Sequence, residues 1–117
     1  YFNMDMATDV KNFMLACDQL KEVEADAPLY WNLIKEEFQE LSDASIRIEE
    51  LDACLDLIWV ILGYCHAKGY NVEGGWQEVV RSNMSKVDPV SGKVIKRDDG
   101  KILKPASFSP PNLHPFI

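Results

Sequence analysis

The chain has 117 residues, 47% of them hydrophobic and 26% charged, enough for one modest core and too few for a large two-domain enzyme. With 19 acidic against 12 basic residues its net charge is −7, and the basic residues are scattered as far as the C-terminal third, so no face suited to a nucleic-acid backbone is expected. A phosphate-bearing substrate is compatible with that acidity only if divalent cations invert the local charge.

Tyr1, Phe2 and Asn3 read as the remnant of a cleaved tag ahead of Met4. A first helix is predicted over 8–22, capped by Thr8 or Asp9, because Val10, Phe13, Met14, Cys17 and Leu20 recur at steps of three and four. Pro28 suits the first turn of a second helix over 28–42, whose apolar stripe runs through Tyr30, Leu33, Ile34, Phe38 and Leu41. After Ser42, Asp43 and Ser45, a third helix over 45–67 carries Ile48, Leu51, Leu55, Ile58, Leu62 and Cys65 and stops at Gly69. Gly74 and Gly75 precede a shorter helix, with Trp76, Val79, Val80 and Met84, that ends near Lys86. Residues 4–87 are therefore expected to form an all-α four-helix domain.

Beyond it, over 88–117, Val94-Ile95 and Ile102-Leu103 flank Asp98-Asp99-Gly100, which predicts a small β-hairpin. Pro105, Pro110, Pro111 and Pro115 then predict an extended arm laid over a surface. Cys17, Cys54 and Cys65 are odd in number and form no C-x-x-C pair, so neither a disulfide framework nor zinc is indicated and a cytoplasmic location is expected. No membrane segment is expected, since the apolar run Leu57 to Leu62 is far too short to span a bilayer. His66 and His114 lack companions that would make them ligands.

The chemistry lies in two acidic stripes. Glu36, Glu37 and Glu40 fall within an arc of roughly 100° on the second helix, and the series Tyr30, Ile34, Leu41 places residue 37 on the buried side, where an unpaired carboxylate is costly. Glu49, Asp52 and Asp56 fall within roughly 60° on the third helix, with Asp56 inside the apolar Leu55-Asp56-Leu57-Ile58-Trp59. Antiparallel packing across the short link would set up to six carboxylates around one cavity, and such a cluster needs protons or cations. Oxygen ligands without Cys or His select Mg²⁺ or Mn²⁺. Taken singly, Glu36, Glu40, Glu49 and Glu50 have the ordinary alternative of a solvated helix face.

The pattern Glu36-Glu37-x-x-Glu40 followed by Glu49-x-x-Asp52-x-x-x-Asp56 resembles the signature of MazG-like nucleoside triphosphate pyrophosphohydrolases. Asp56 to Gly63 is similar to that family's third helix, Phe13 to Ala16 to its first-helix nucleoside-side segment, and Ser82-Asn83-Met84-Ser85-Lys86 to its S-N-x-S-K block. Many members carry a glutamate at the position of Ala53, and Asp52 is its substitute here. Gly92-Lys93-Val94 and the stretch Gly100 to Pro105 resemble the extension of phage members, MazZ-like ones among them, which implies a bacterial host cytoplasm if the chain is phage-encoded.

The resemblance implies a dimer or dimer of dimers that hydrolyses (deoxy)nucleoside triphosphates to monophosphates, releasing the terminal phosphates. Glu36, Glu37, Glu40, Asp52 and Asp56 would hold two or more Mg²⁺ ions, with Mn²⁺ able to substitute and Glu49 supporting from the rim. Glu37 is the first candidate for the base, with Glu36 orienting water; Asn83, Lys86 and Lys104 are the candidates for phosphate or sugar contacts. Trp31 and Phe13 are candidates for stacking on the base, with core packing as the alternative. Family context points to dGTP and GTP in nucleotide-pool editing, with dUTP or dCTP as the alternative. Rivals are a phosphoribosyl-ATP pyrophosphohydrolase of the same superfamily, an acidic helical interaction module, and an acidic DNA mimic.

Overall fold

A computed structural model describes residues 5–117. The expected tag remnant at residues 1–3 lies outside the described residues. Two compact units are present, one reaching Val72 and one comprising Glu73–Ile117.

In the first unit, α1 (Met6–Ala16) is capped by Asp5, whose carboxylate accepts from the Thr8 N–H at 3.1 Å. It buries Val10 and Met14, one turn apart. The helix does not continue to residue 22. Asp18, Leu20 and Glu24 take left-handed φ values of 61°, 64° and 66°, which no α-helix of L-residues sustains. The turn is fastened by the Leu20 N–H donating to Asp26 Oδ2 at 2.9 Å and the Glu24 N–H donating to the Ala67 carbonyl at 2.9 Å. Because Asp26 is committed to Leu20, it makes no side-chain cap for α2 (Ala27–Asp43), which starts instead with Pro28 in its first turn.

The next helix, α3 (Arg47–Lys68), ends at Gly69, whose left-handed φ of 79° lets its N–H reach the last carbonyls. Tyr30 of α2 meets Gly63 of α3, and Glu37 of α2 meets Asp56 of α3, so the two helices run antiparallel. A β-carbon added at Gly63 would overlap the Tyr30 ring, so this glycine sets how closely the helices approach. The core comprises Val10, Met14, Ala27, Tyr30, Val60 and Ala67, with Leu33, Ile34, Leu57 and Leu62 packed against it. His66 joins α3 to α1 through its Nε2, 2.6 Å from the Ala7 carbonyl oxygen.

In the second unit, α4 (Val72–Met84) starts before the glycine pair, so Gly74 and Gly75 lie inside the helix rather than ahead of it. The chain is all-α among the described residues, and the expected C-terminal β-hairpin is not formed. Between Val94 and Leu103 there is only an isolated antiparallel bridge, Lys96 to Ile102, closed by Arg97 N–H to the Lys101 carbonyl at 2.7 Å and Leu103 N–H to the Ile95 carbonyl at 2.8 Å. The turn read from Asp98-Asp99-Gly100 exists, but two apolar residues on each side are too few for a ladder, and no sheet is present for them to join. The Pro-rich arm beyond it folds back onto α4. Arg81 donates to the Pro110 carbonyl at 3.1 Å, and the Asn112 N–H donates to Glu78 at 2.7 Å. The arm ends in α5, a single 3₁₀ turn over His114–Phe116. No helix among the described residues is long and apolar enough to cross a membrane.

Candidate metal centre

Glu37 and Glu40, one turn apart on α2, face Asp56 on α3, and one carboxylate oxygen from each lies within 4.8 Å of the others. Glu37 and Asp56 are half-buried and Glu40 is exposed, so the group opens to solvent on one side. Glu37 Oε2 is buried with no hydrogen-bond partner, an arrangement costly for a carboxylate unless a cation or a proton meets it. Burial raises the Glu37 pKa to about 7, helped by a hydrogen bond to Glu40 that the protonated form makes and by the charges of Glu40, Asp56 and Asp52. Asp56 is raised too, first by burial and then by the charges of Asp52 and Glu40.

The donor set is therefore three hard oxygens crowded at one place, with one oxygen lacking a partner, which fits a divalent ion such as Mg²⁺ or Mn²⁺. The group does not include Glu36, Asp52 or Glu49, all three of which are exposed. Asp52 is near enough to act on Glu37 and Asp56 through its charge.

The remaining candidates divide between the two units. Phe13 and Trp31 are 53% and 52% exposed, so neither is a core aromatic. Phe13 stands edge-on to Trp59 at 5.6 Å between ring centroids, and Trp31 is tilted against Tyr64 at 5.7 Å. In the second unit Lys86 donates to Asn83 Oδ1 at 3.1 Å, and the Lys86 and Lys104 ammonium groups lie 5.7 and 5.1 Å from the centroid of the same ring, Phe108. Phe108 escaped the sequence reading. Its only signal was an aromatic residue between two serines inside a proline-rich tail. The three cysteines are free.

A search of curated proteins finds no match to this chain. The phosphoribosyl-ATP pyrophosphohydrolase family model matches residues 7–83, from the first turn of α1 into the last turn of α4. Spanning well over half of the sequence, that match shows that the chain belongs to the phosphoribosyl-ATP pyrophosphohydrolase family, hydrolases of the MazG-like pyrophosphohydrolase superfamily.

Proposed function

We propose that this protein hydrolyses (deoxy)nucleoside triphosphates in a divalent-metal-dependent reaction, with water cleaving the anhydride to leave a monophosphate and release pyrophosphate. The observation that carries this reading is Glu37 Oε2, buried and without a partner beside Glu40 and Asp56. Glu37, Glu40 and Asp56 would hold Mg²⁺, with Mn²⁺ as a substitute, and Asp52, Glu36 and Glu49 would complete a site for two or more ions from its rim. An ion held there supplies neutralisation of the phosphate charge, which this acidic surface otherwise repels.

Glu37 is our candidate proton acceptor from the attacking water, since its Oε2 has no hydrogen-bond donor of its own. Glu36, exposed one residue away, orients that water. Lys86, Asn83 and Lys104 receive phosphate oxygens. Phe13 and Trp31, each about half exposed, offer rings on which a base can stack.

Among substrates we favour the purines dGTP and GTP, in editing of a cytoplasmic nucleotide pool, that of a host cell if the chain is phage-encoded. The description of the matching family favours a second reading, phosphoribosyl-ATP, itself an adenine nucleotide with the same triphosphate. A homodimer or dimer of dimers is part of the proposal, because Leu51, Leu55 and Ile58 of α3 are exposed at 58%, 54% and 42% and call for a partner surface. Light scattering at micromolar concentration tests the assembly, and a monomer would exclude it.

The deciding experiment is product analysis with dGTP, GTP, dUTP, dCTP and phosphoribosyl-ATP, each with Mg²⁺ or Mn²⁺ and with chelator. Metal-dependent release of pyrophosphate from the purine triphosphates supports the favoured reading. Turnover of phosphoribosyl-ATP alone supports the second, and turnover of dUTP or dCTP alone moves the specificity to pyrimidines. No turnover by folded protein removes the enzyme and leaves an acidic helical interaction module.

A further inference from the structure

In a chain with 19 acidic residues against 12 basic ones, a cavity with more lysines than carboxylates in its walls stands apart. Such a cavity, of about 290 Å³, lies in the first unit between α1, the turn that leads from it into α2, and the end of α3. Lys11 of α1 lines it together with Lys21 and Glu22 of the turn, and His66 and Tyr70 line it from α3 and just beyond. Among the described residues Lys11 is in no ion pair, and Lys21 has only the exposed Asp18 at 3.6 Å, a weak hold. The His66 Nε2 lies 2.6 Å from the Ala7 carbonyl oxygen, which can only accept, so Nε2 carries the hydrogen and Nδ1 is the ring nitrogen left over.

The wall formed by the turn carries backbone strain. Asp18, Leu20 and Glu24, none of them glycine, hold left-handed φ values, and such conformations persist only where the surroundings fix them. Here the Leu20 N–H donates to Asp26, the Glu24 N–H donates to the Ala67 carbonyl, and the Glu24 carboxylate pairs with Lys68. The turn is therefore pinned to α3 at Ala67 and Lys68 while the space beside those contacts stays open. A β-carbon added at Gly69, which also lines the cavity, would meet nothing within 4 Å. Leu20 and Val23 bring apolar surface to the same walls, and Val23, at 82% exposed, is not used by the protein's own core.

We propose that this cavity binds a small organic anion, an apolar body carrying one carboxylate or phosphate group, with the body against Leu20, Val23 and Tyr70 and the charge met by Lys11 and Lys21. Two lysines against the single carboxylate of Glu22 favour an anion over a metal ion. An inorganic ion alone would leave the apolar lining uncovered. The volume is at the small end for a small-molecule site, too little for a nucleoside triphosphate. From Asp56 to His66 α3 rises roughly 15 Å, so the cavity is separate from the carboxylate group, and binding there does not rest on the hydrolysis proposed above.

The test is titration of the full chain in chelator, followed by NMR, with benzoate and phenyl phosphate as anions and benzamide as the uncharged control. Saturable shifts of the Lys11, Lys21 and His66 amides are expected for at least one anion, with a Kd of about 1 mM or tighter, while the Glu37 and Asp56 amides stay in place. Tighter binding of benzoate marks the natural ligand as a carboxylic acid, and tighter binding of phenyl phosphate marks it as a phosphate ester. Lys11→Met should weaken binding about five- to tenfold, and Lys35→Met, which removes the same charge from α2 outside the cavity, should change it less than about twofold. Both lysines are exposed, so neither substitution threatens the fold. No saturation by either anion, equal binding of benzamide, shifts confined to Glu37 and Asp56, or equal losses in the two lysine variants overturns the site.

Discussion

Glu37 and Asp56, on antiparallel α2 and α3, bring carboxylate oxygens within 4.8 Å of each other and of Glu40, and the buried Oε2 of Glu37 has no donor to meet it. The pair is thus poorly satisfied in the metal-free protein, and its stability should report on protons and cations alike. Glu37 keeps its proton up to about 7 in the folded chain, against an ordinary value of 4.5. Between those two values the unfolded chain loses the proton first, so the folded state binds more protons and stability falls as pH rises. Melting in chelator should show a declining Tm across that window, absent in Glu37→Gln. Mg²⁺ or Mn²⁺ should raise Tm most above pH 7, where the carboxylates are ionised and no longer compete for protons.

The carboxylates should also separate by substitution. Glu40 and Asp56 belong to the close group, so Glu40→Gln or Asp56→Ala is expected to lower kcat/KM by at least about 100-fold, more than the loss of a supporting residue around a metal usually costs. Asp52 acts on the group through its charge while exposed, and Asp52→Ala should cost about tenfold. Glu49→Ala and Glu36→Ala, at exposed positions outside the close group, should cost less than that. Steady-state kinetics at saturating Mg²⁺ checks the order. Equal losses at all five positions would show that the rim carboxylates are full ligands.

This ordering marks where the sequence could and could not be read. The apolar series through Tyr30, Ile34 and Leu41 placed Glu37 correctly against the core side, because helical period reports angle about the axis. Height along the axis is a different matter: Glu49 shares a stripe with Asp56 but lies roughly 10 Å away along α3, beyond the reach of one ion. Leu20 misled in another way. It packs against the core as the last member of a helical series, yet does so from a left-handed turn, so its spacing recorded burial and not helix. Gly74 and Gly75 looked like a boundary, but glycine costs only about 1 kcal/mol within a helix, and α4 includes them. The hairpin failed because a turn motif fixes a reversal and not the length of its flanks.

Gly63 has no side chain because Tyr30 occupies that space, and the Tyr30 hydroxyl is already committed to Gln19 Oε1 at 2.6 Å. The ring is 4% exposed and cannot swing into solvent without giving up both contacts. Gly63→Ala should therefore destabilise the protein by about 1–3 kcal/mol, despite the better helix propensity of alanine. Denaturant titration measures it, and an unchanged midpoint would mean that α2 and α3 separate slightly at no cost.

Glu78 ties the arm to α4 by accepting from Arg81 through both guanidinium contacts, at 2.7 and 2.9 Å, and from the Asn112 N–H at 2.7 Å. The Arg81 hydrogen bond, followed by the Asn112 N–H, holds its pKa down at about 2. A depressed carboxylate contributes above its unfolded value of 4.5 and loses that contribution as pH falls through its folded value, so the arm should loosen on acidification from 4.5 to about 2. Hydrogen exchange at the Asn112 amide, corrected for the intrinsic rate, should accelerate over that interval in the wild type. In Glu78→Gln, which cannot ionise and holds Arg81 more weakly, the amide should already exchange faster near neutrality and show no further step. Protection of Asn112 unchanged by both acid and substitution would place the hold on the arm elsewhere, in the Ser85 contacts to Ser107 and Ser109.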